Sequence, residues 1–206
     1  VSALAARLGL IVVTDPRVAA RRTVLDVVRA ALRGGAPAIQ LRAKEAGGRE
    51  AAELAAALLA ETRAAGALLF VNDRVDVALA AGADGAHVGQ DDLPVAAVRR
   101  IVPPGFLVGV SAETPELALR AERDGADYVG VGPVRPTASK DDAGEAVGLA
   151  RVAEVVAAVR IPVVGIGGIH AGNAADVLRA GAAGVAVISA VMQAADPEAA
   201  ARALLR

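Results

Sequence analysis

"LLFVNDRVDVALAAGADGAHVGQ" runs from Leu68 to Gln90 and holds one complete strand–helix–strand unit. Its first run, Leu68–Asn72, is short, apolar and branched, the pattern of a strand buried on both faces. Arg74–Ala81 follows with helical period, Gly82-Ala83 interrupts it, and Ala86–Gly89 begins a second apolar run. The glycine suits a left-handed helix stop, and the alanine begins the return to the sheet.

The same order of events recurs from end to end. Strands are predicted at Leu10–Thr14, Ala38–Arg42, Leu68–Asn72, Ala86–Gly89, Leu107–Ser111, Tyr128–Gly132, Val163–Ile166 and Val185–Ile188. Each precedes a predicted helix: Thr23–Arg33, Glu50–Ala65, Arg74–Ala81, Pro94–Val102, Pro115–Asp124, Leu149–Val159, Asn173–Ala180 and Pro197–Leu205. Eight such units in 206 residues is the count of a closed (β/α)₈ barrel. The predicted fold class is therefore α/β, a single TIM barrel domain over residues 1–206. An open doubly wound sheet competes, but it more often carries a glycine-rich turn after its first strand. Here that turn is Thr14-Asp15-Pro16-Arg17. Gly-Ala precedes the even strands at Gly35-Ala36, Gly82-Ala83, Gly125-Ala126 and Gly181-Ala182, a weak internal repeat that Gly66-Ala67 breaks ahead of strand three.

Composition narrows the function. Net charge is −1, which supports neither nucleic-acid binding nor anchoring to an anionic membrane. One Tyr, two Phe and no Trp leave few platforms for stacking bases. The absence of cysteine excludes disulfides and thiolate chemistry, and only His87 and His170 could serve an imidazole metal site. No stretch reaches the roughly 18 uncharged apolar residues of a membrane span. The start, Val1-Ser2-Ala3, lacks the basic region and apolar core of a signal peptide, so a cytoplasmic location is expected.

In a TIM barrel the active site gathers at the C-terminal ends of the strands. Strand two delivers Gln40, Arg42 and, just beyond, Lys44, with Gln40 and Arg42 on one face by strand parity. A buried arginine there requires either an anionic ligand or a structural salt bridge with an acidic neighbour. Strand three ends in Asn72-Asp73, and strand four runs into Gln90-Asp91-Asp92. Neighbouring strands lie about 5 Å apart, so Asp73 and Asp92 can meet and would need a cation between them. Oxygen ligands alone suit Mg²⁺. The alternative is that these aspartates cap the helices that follow. Strand five delivers Ser111. Strand six opens into "GPVRPTASK" (132–140), with Thr137, Ser139 and Lys140 close together. Strands seven and eight end in Gly167-Gly168 and Ile188-Ser189, where such barrels commonly hold a phosphate. His87, in mid-strand, reads as a core residue, His170 as a loop residue, and Arg135 as solvated.

The segments "QLRAK" (40–44), "NDRVDVALAAGADGAHVGQDDLP" (72–94), "GVSAET" (109–114), "DYVGVGPVRPTASK" (127–140), "PVVGIGGI" (162–169) and "GVAVISA" (184–190) together resemble the thiamine phosphate synthase family over essentially the whole chain. The resemblance implies condensation of hydroxymethylpyrimidine diphosphate with hydroxyethylthiazole phosphate, giving thiamine phosphate and pyrophosphate. It further implies Mg²⁺-assisted loss of pyrophosphate before the thiazole nitrogen captures the pyrimidine cation. Carried over by motif, Gln40, Arg42, Lys44, Asn72, Ser111 and Lys140 would hold the pyrimidine diphosphate, with Leu41 and Ala43 lining that segment. Arg42, Ser111 and Lys140 are the expected catalytic residues. Asp73 and Asp92 would bind Mg²⁺, and Thr137, Ala138, Ser139, Gly168, Ile188 and Ser189 would hold the thiazole phosphate. Glu113 stands where the family commonly has His, and Ala43 where it has Glu. A related thiazole tautomerase relies on a histidine just after strand six, where this chain has Pro133. A thiamine-related binding paralogue on the same barrel is the non-enzymatic alternative. The expected partners are phosphorylated small molecules, with neither nucleic acid nor membrane; self-association into a homo-oligomer is left open.

Overall fold

Residues 3–18, 22–137 and 144–205 are described by the structure, a computed structural model. The strands are β1 (Leu10–Val13), β2 (Ala38–Leu41), β3 (Leu68–Asn72), β4 (Gly85–Val88), β5 (Leu107–Ser111), β6 (Tyr128–Val131), β7 (Val163–Ile166) and β8 (Gly184–Val187). They are all parallel, pair in chain order, and close into a barrel where β8 meets β1. The helices are α1 (Ala3–Arg7), α2 (Val24–Arg33), α3 (Gly48–Ala65), α4 (Val75–Ala81), α5 (Val95–Ile101), α6 (Pro115–Arg123), α7 (Gly148–Ala158), α8 (Ala174–Arg179), α9 (Ser189–Met192) and α10 (Pro197–Leu204). The predicted TIM barrel is thus the observed fold, with element ends shifted by a residue or two.

Local chemistry sets these boundaries. Thr23 caps α2 by accepting from the Asp26 N–H, Thr114 caps α6 by accepting from Leu117, and Asp196 caps α10 by accepting from Ala199. Each such cap stabilises its helix by about 1 kcal/mol. The Gly-Ala pairs are helix stops throughout. Gly35, Gly66, Gly82, Gly125 and Gly181 all have positive φ. The following N–H groups bond back across the helix end, Ala36 to Ala31, Ala67 to Thr62, Ala83 to Ala78, Ala126 to Ala121 and Ala182 to Val177. The pair before β3 therefore obeys the same rule as the others.

Three short elements escape periodicity: α1, the 3₁₀ turn Pro16–Val18, and α9. Each is shorter than the 11–18 residue window, roughly, in which an amphipathic repeat can be read. Helix α9 is the short extra helix that often follows β8 in this fold.

Large residues are few, and they meet inside the barrel. Phe70 and Tyr128 stack edge to face with centroids 5.4 Å apart. Tyr128 lies across β5, so that a Cβ on Gly109 would stand 2.1 Å from its Cζ. The connection after β6 is tied down at both ends. Val134 and Arg135 donate to the carbonyls of Ile166 and Gly167, while Val147 and Gly148 donate to those of Pro133 and Val134.

Candidate active site

A cavity of about 380 Å³ opens at the C-terminal ends of the strands. Arg42 and Lys44 reach it from β2, Asn72 and Asp73 from β3, and His87, Gln90, Asp91 and Asp92 from β4 and its loop. Ser111 and Glu113 follow from β5, Thr137 from the β6 loop, Gly167 and Gly168 from β7, and Ile188 and Ser189 from β8. The expected residues Arg42, Lys44, Asn72, Asp73, Asp92, Ser111, Thr137, Gly168, Ile188 and Ser189 are therefore brought together. Ala138, Ser139 and Lys140 lie outside the described residues. Gln40, Leu41 and Ala43 are not among the lining residues. Gln40 is buried below, Leu41 packs in the core, and Ala43 faces a smaller neighbouring cavity.

The cationic side rests on a buried ion pair. Arg42 Nη1 donates to Asp15 Oδ2 at 2.8 Å, and the two side chains are 4% and 1% exposed. Arg17 donates to Asp15 through its backbone N–H, Nε and Nη2. Burial alone would raise the Asp15 carboxyl, but the Arg17 hydrogen bonds and the charges of Arg42 and Arg17 hold it below its ordinary value. It is therefore anionic at neutral pH. The salt-bridge reading of Arg42 is realised, and the residue also lines the cavity. Its Nε is buried with no acceptor among the described residues.

Beneath the cavity floor lies a polar chain. Gln40 hydrogen-bonds the Tyr128 hydroxyl, which lies 3.0 Å from His87 Nδ1. His87 Nε2 in turn lies 3.0 Å from Ser111 Oγ. Burial pushes the Tyr128 hydroxyl well above its ordinary pKa, against the opposing effect of Gln40, so it remains a proton donor. A hydroxyl donating to Nδ1 leaves Nε2–H to face Ser111. His87 thus both satisfies the core and touches the cavity, a role that reading it as core alone misses.

The acidic side is built by backbone. Asp73 has φ 63, the left-handed region, and its N–H donates to the His87 carbonyl at 2.8 Å. Such strain in a non-glycine residue persists where surrounding contacts impose it. Asp92 Oδ2 accepts from the Gly89 N–H at 2.7 Å and closes the β4 loop. Helix α4 begins after Arg74 and α5 after Pro94, so neither Asp73 nor Asp92 stands at an N-cap position.

On the opposite rim, the glycine pair after β7 makes room for the β6 loop. A Cβ on Gly168 would stand 2.7 Å from Arg135 Cβ and 2.8 Å from the Pro136 oxygen. Asn173 braces this turn, donating to the Gly168 carbonyl at 3.0 Å and accepting from the His170 N–H. Arg135 is not simply solvated. It pairs with Asp176 at 3.0 Å and so ties the β6 loop to α8. Replacing Gly168 by Ala is expected to destabilise the protein by about 2–4 kcal/mol, because neither the backbone angle nor the space admits a methyl group. A denaturant midpoint unchanged from the parent would contradict this packing.

A parallel barrel that gathers cations, carboxylates and a glycine turn at one mouth has the site of an enzyme acting on small molecules. The comparisons sharpen this. The family model for thiamine monophosphate synthase matches residues 10–191. The thiamine-phosphate synthase of Roseiflexus castenholzii is 60% identical over 193 residues, covering 94% of this chain and 85% of that protein. The one from Methanoculleus marisnigri is 55% identical over 195 residues, covering 95% and 92%. The solved thiamine phosphate pyrophosphorylase from Pyrococcus furiosus superposes with a TM-score of 0.90 at 46% identity, covering 98% of this chain and 95% of that one. The chain belongs to the thiamine monophosphate synthase family, and so to the enzymes of thiamine biosynthesis.

Proposed function

We propose that this chain joins hydroxymethylpyrimidine diphosphate to hydroxyethylthiazole phosphate, forming thiamine phosphate and releasing pyrophosphate. The observation that carries this reading is the division of one cavity into a cation-bearing side at β2, an acidic side at β3–β4, and a glycine-lined rim at β7–β8. In the reaction, the bond from the pyrimidine methylene carbon to diphosphate oxygen breaks, and the thiazole nitrogen bonds to that carbon. Charge moves onto the leaving group, so electrostatic stabilisation and positioning are what the protein must supply.

Arg42 and Lys44 face the leaving diphosphate. Ser111, held by His87, and Asn72 fix its near end. Gln40 is buried below the floor beside Tyr128 and would act on the pyrimidine from beneath the cavity. Leu41 and Ala43 shape the β2 segment. Thr137, Ala138, Ser139, Gly168, Ile188 and Ser189 would take the acceptor's phosphate, and Lys140 would serve the departing diphosphate.

The acidic side fits Mg²⁺. Asp73, Asp91 and Asp92 are oxygen donors on one flank of the cavity. Among the described residues no three acidic, imidazole or thiol groups gather as a metal site; Mg²⁺ takes one or two carboxylates and completes its shell with water and substrate phosphate. Asp73 and Asp92 would hold it, and when bound it would neutralise charge developing on the diphosphate. Chelation should abolish product formation while leaving the melting temperature within about 2 °C, and added Mg²⁺ should restore activity. Full activity in excess chelator would contradict the metal assignment.

Lys140→Ala is expected to lower kcat about 100-fold with little loss of thermal stability. Unchanged turnover with a large stability loss would overturn its role. Supplying the purified protein with both substrates and Mg²⁺ tests the proposal, thiamine phosphate being the expected product. Binding of thiamine phosphate without its formation would favour a binding paralogue instead. Among the described residues no helix is long and apolar enough to cross a membrane, in keeping with a cytoplasmic enzyme acting on small metabolites.

A further inference from the structure

Among the described residues, β2 through β8 and their loops all line the cavity, whereas β1 and its following turn contribute nothing to it. The end of β1 instead grips Arg42. Thr14 Oγ1 accepts from the Arg42 backbone N–H at 3.0 Å, and Asp15 Oδ2 accepts from Nη1 at 2.8 Å. The strand thus holds Arg42 at both its root and its tip. The clamp is itself oriented, because Arg17 engages both carboxylate oxygens of Asp15 in a fork. What remains of the Arg42 guanidinium includes a buried Nε with no acceptor among the described residues.

We propose that Thr14 and Asp15 are positioning residues that act through Arg42, fixing its guanidinium as a preset donor for the diphosphate. This rests on the functional reading above. The physical reason is that a long side chain free to change rotamer contributes little directed charge, whereas one tethered at root and tip meets the anion without reorganising. Asp15 is not among the residues that line the cavity, so its effect on the diphosphate should vanish when the guanidinium is absent.

The test is the binding of inorganic pyrophosphate with Mg²⁺, measured by calorimetry, beside steady-state kinetics. Asp15→Asn should weaken pyrophosphate binding and raise KM for the pyrimidine diphosphate by about ten- to a hundredfold, with KM for the thiazole phosphate within about twofold. In an Arg42→Met background, Asp15→Asn should add less than about twofold to either quantity. Thr14→Val should show the same split at about three- to tenfold, and it decides the matter if Asp15→Asn does not fold. Equal rises in both KM values, full additivity with Arg42→Met, or lost stability with unchanged KM values would overturn the proposal. So would a parent protein that does not bind pyrophosphate. A parent that binds pyrophosphate but makes no thiamine phosphate would refute the functional reading and leave this one standing.

Discussion

Adding a single methyl group at residue 109 is expected to destabilise the barrel by about 3–5 kcal/mol. In Gly109→Ala the new Cβ would stand 2.1 Å from Tyr128 Cζ and 2.4 Å from its hydroxyl. Tyr128 cannot swing aside freely, because it is fully buried against Phe70 and bonded to Gln40 and His87. Overpacking alone costs about 1–3 kcal/mol, and each buried polar group left unpaired adds about 1–3 kcal/mol. For a chain of this length the melting temperature should fall by about 10 °C. Activity should fall with it, since Tyr128 orients His87 and His87 holds Ser111. A Gly109→Ala protein with unchanged melting temperature and turnover would show that the ring does not occupy this space in solution.

Asp73→Asn should reduce kcat/KM by about 100-fold or more while keeping the fold. The substitution is informative because of the backbone at this position. Asn tolerates the left-handed conformation as well as Asp does, so the φ of 63 should persist. What changes is the negative charge on the acidic flank. A hundredfold loss corresponds to about 2.7 kcal/mol of transition-state stabilisation, within reach of one lost metal ligand or electrostatic contact. The Mg²⁺ concentration needed for half-maximal rate should rise in parallel. Wild-type turnover at wild-type Mg²⁺ demand would remove Asp73 from the metal site.

The barrel was readable because its signals are local. A branched run, a capped helix and a Gly-Ala stop lie within one unit, and the unit repeats. The charged residues at strand ends were readable for a related reason: strand parity and the fold together send Arg42, Asp73 and Ser111 to one mouth. The contacts that give them precision depend on register between distant strands. Gln40, Tyr128, His87 and Ser111 come from β2, β6, β4 and β5, and no spacing along the chain connects them. Asp15 meets Arg42 only because β1 and β2 pair with Val13 opposite Gln40. Arg135 looked solvated because its partner, Asp176, lies on α8, three elements further on. The Gly167-Gly168 pair suggested backbone amides turned toward an anion, yet the space beside both glycines is filled by the β6 loop. That steric role belongs to the fold and is invisible to a motif.

The account stands or falls on whether the two phosphorylated substrates are joined with expulsion of pyrophosphate. Pyrophosphate and thiamine phosphate should be quantified together, with Mg²⁺ present, from reactions holding both substrates and from reactions lacking one. Equimolar release of the two products, dependent on both substrates and on Mg²⁺, is the predicted result. Absence of pyrophosphate release by a folded protein that binds both substrates would contradict it.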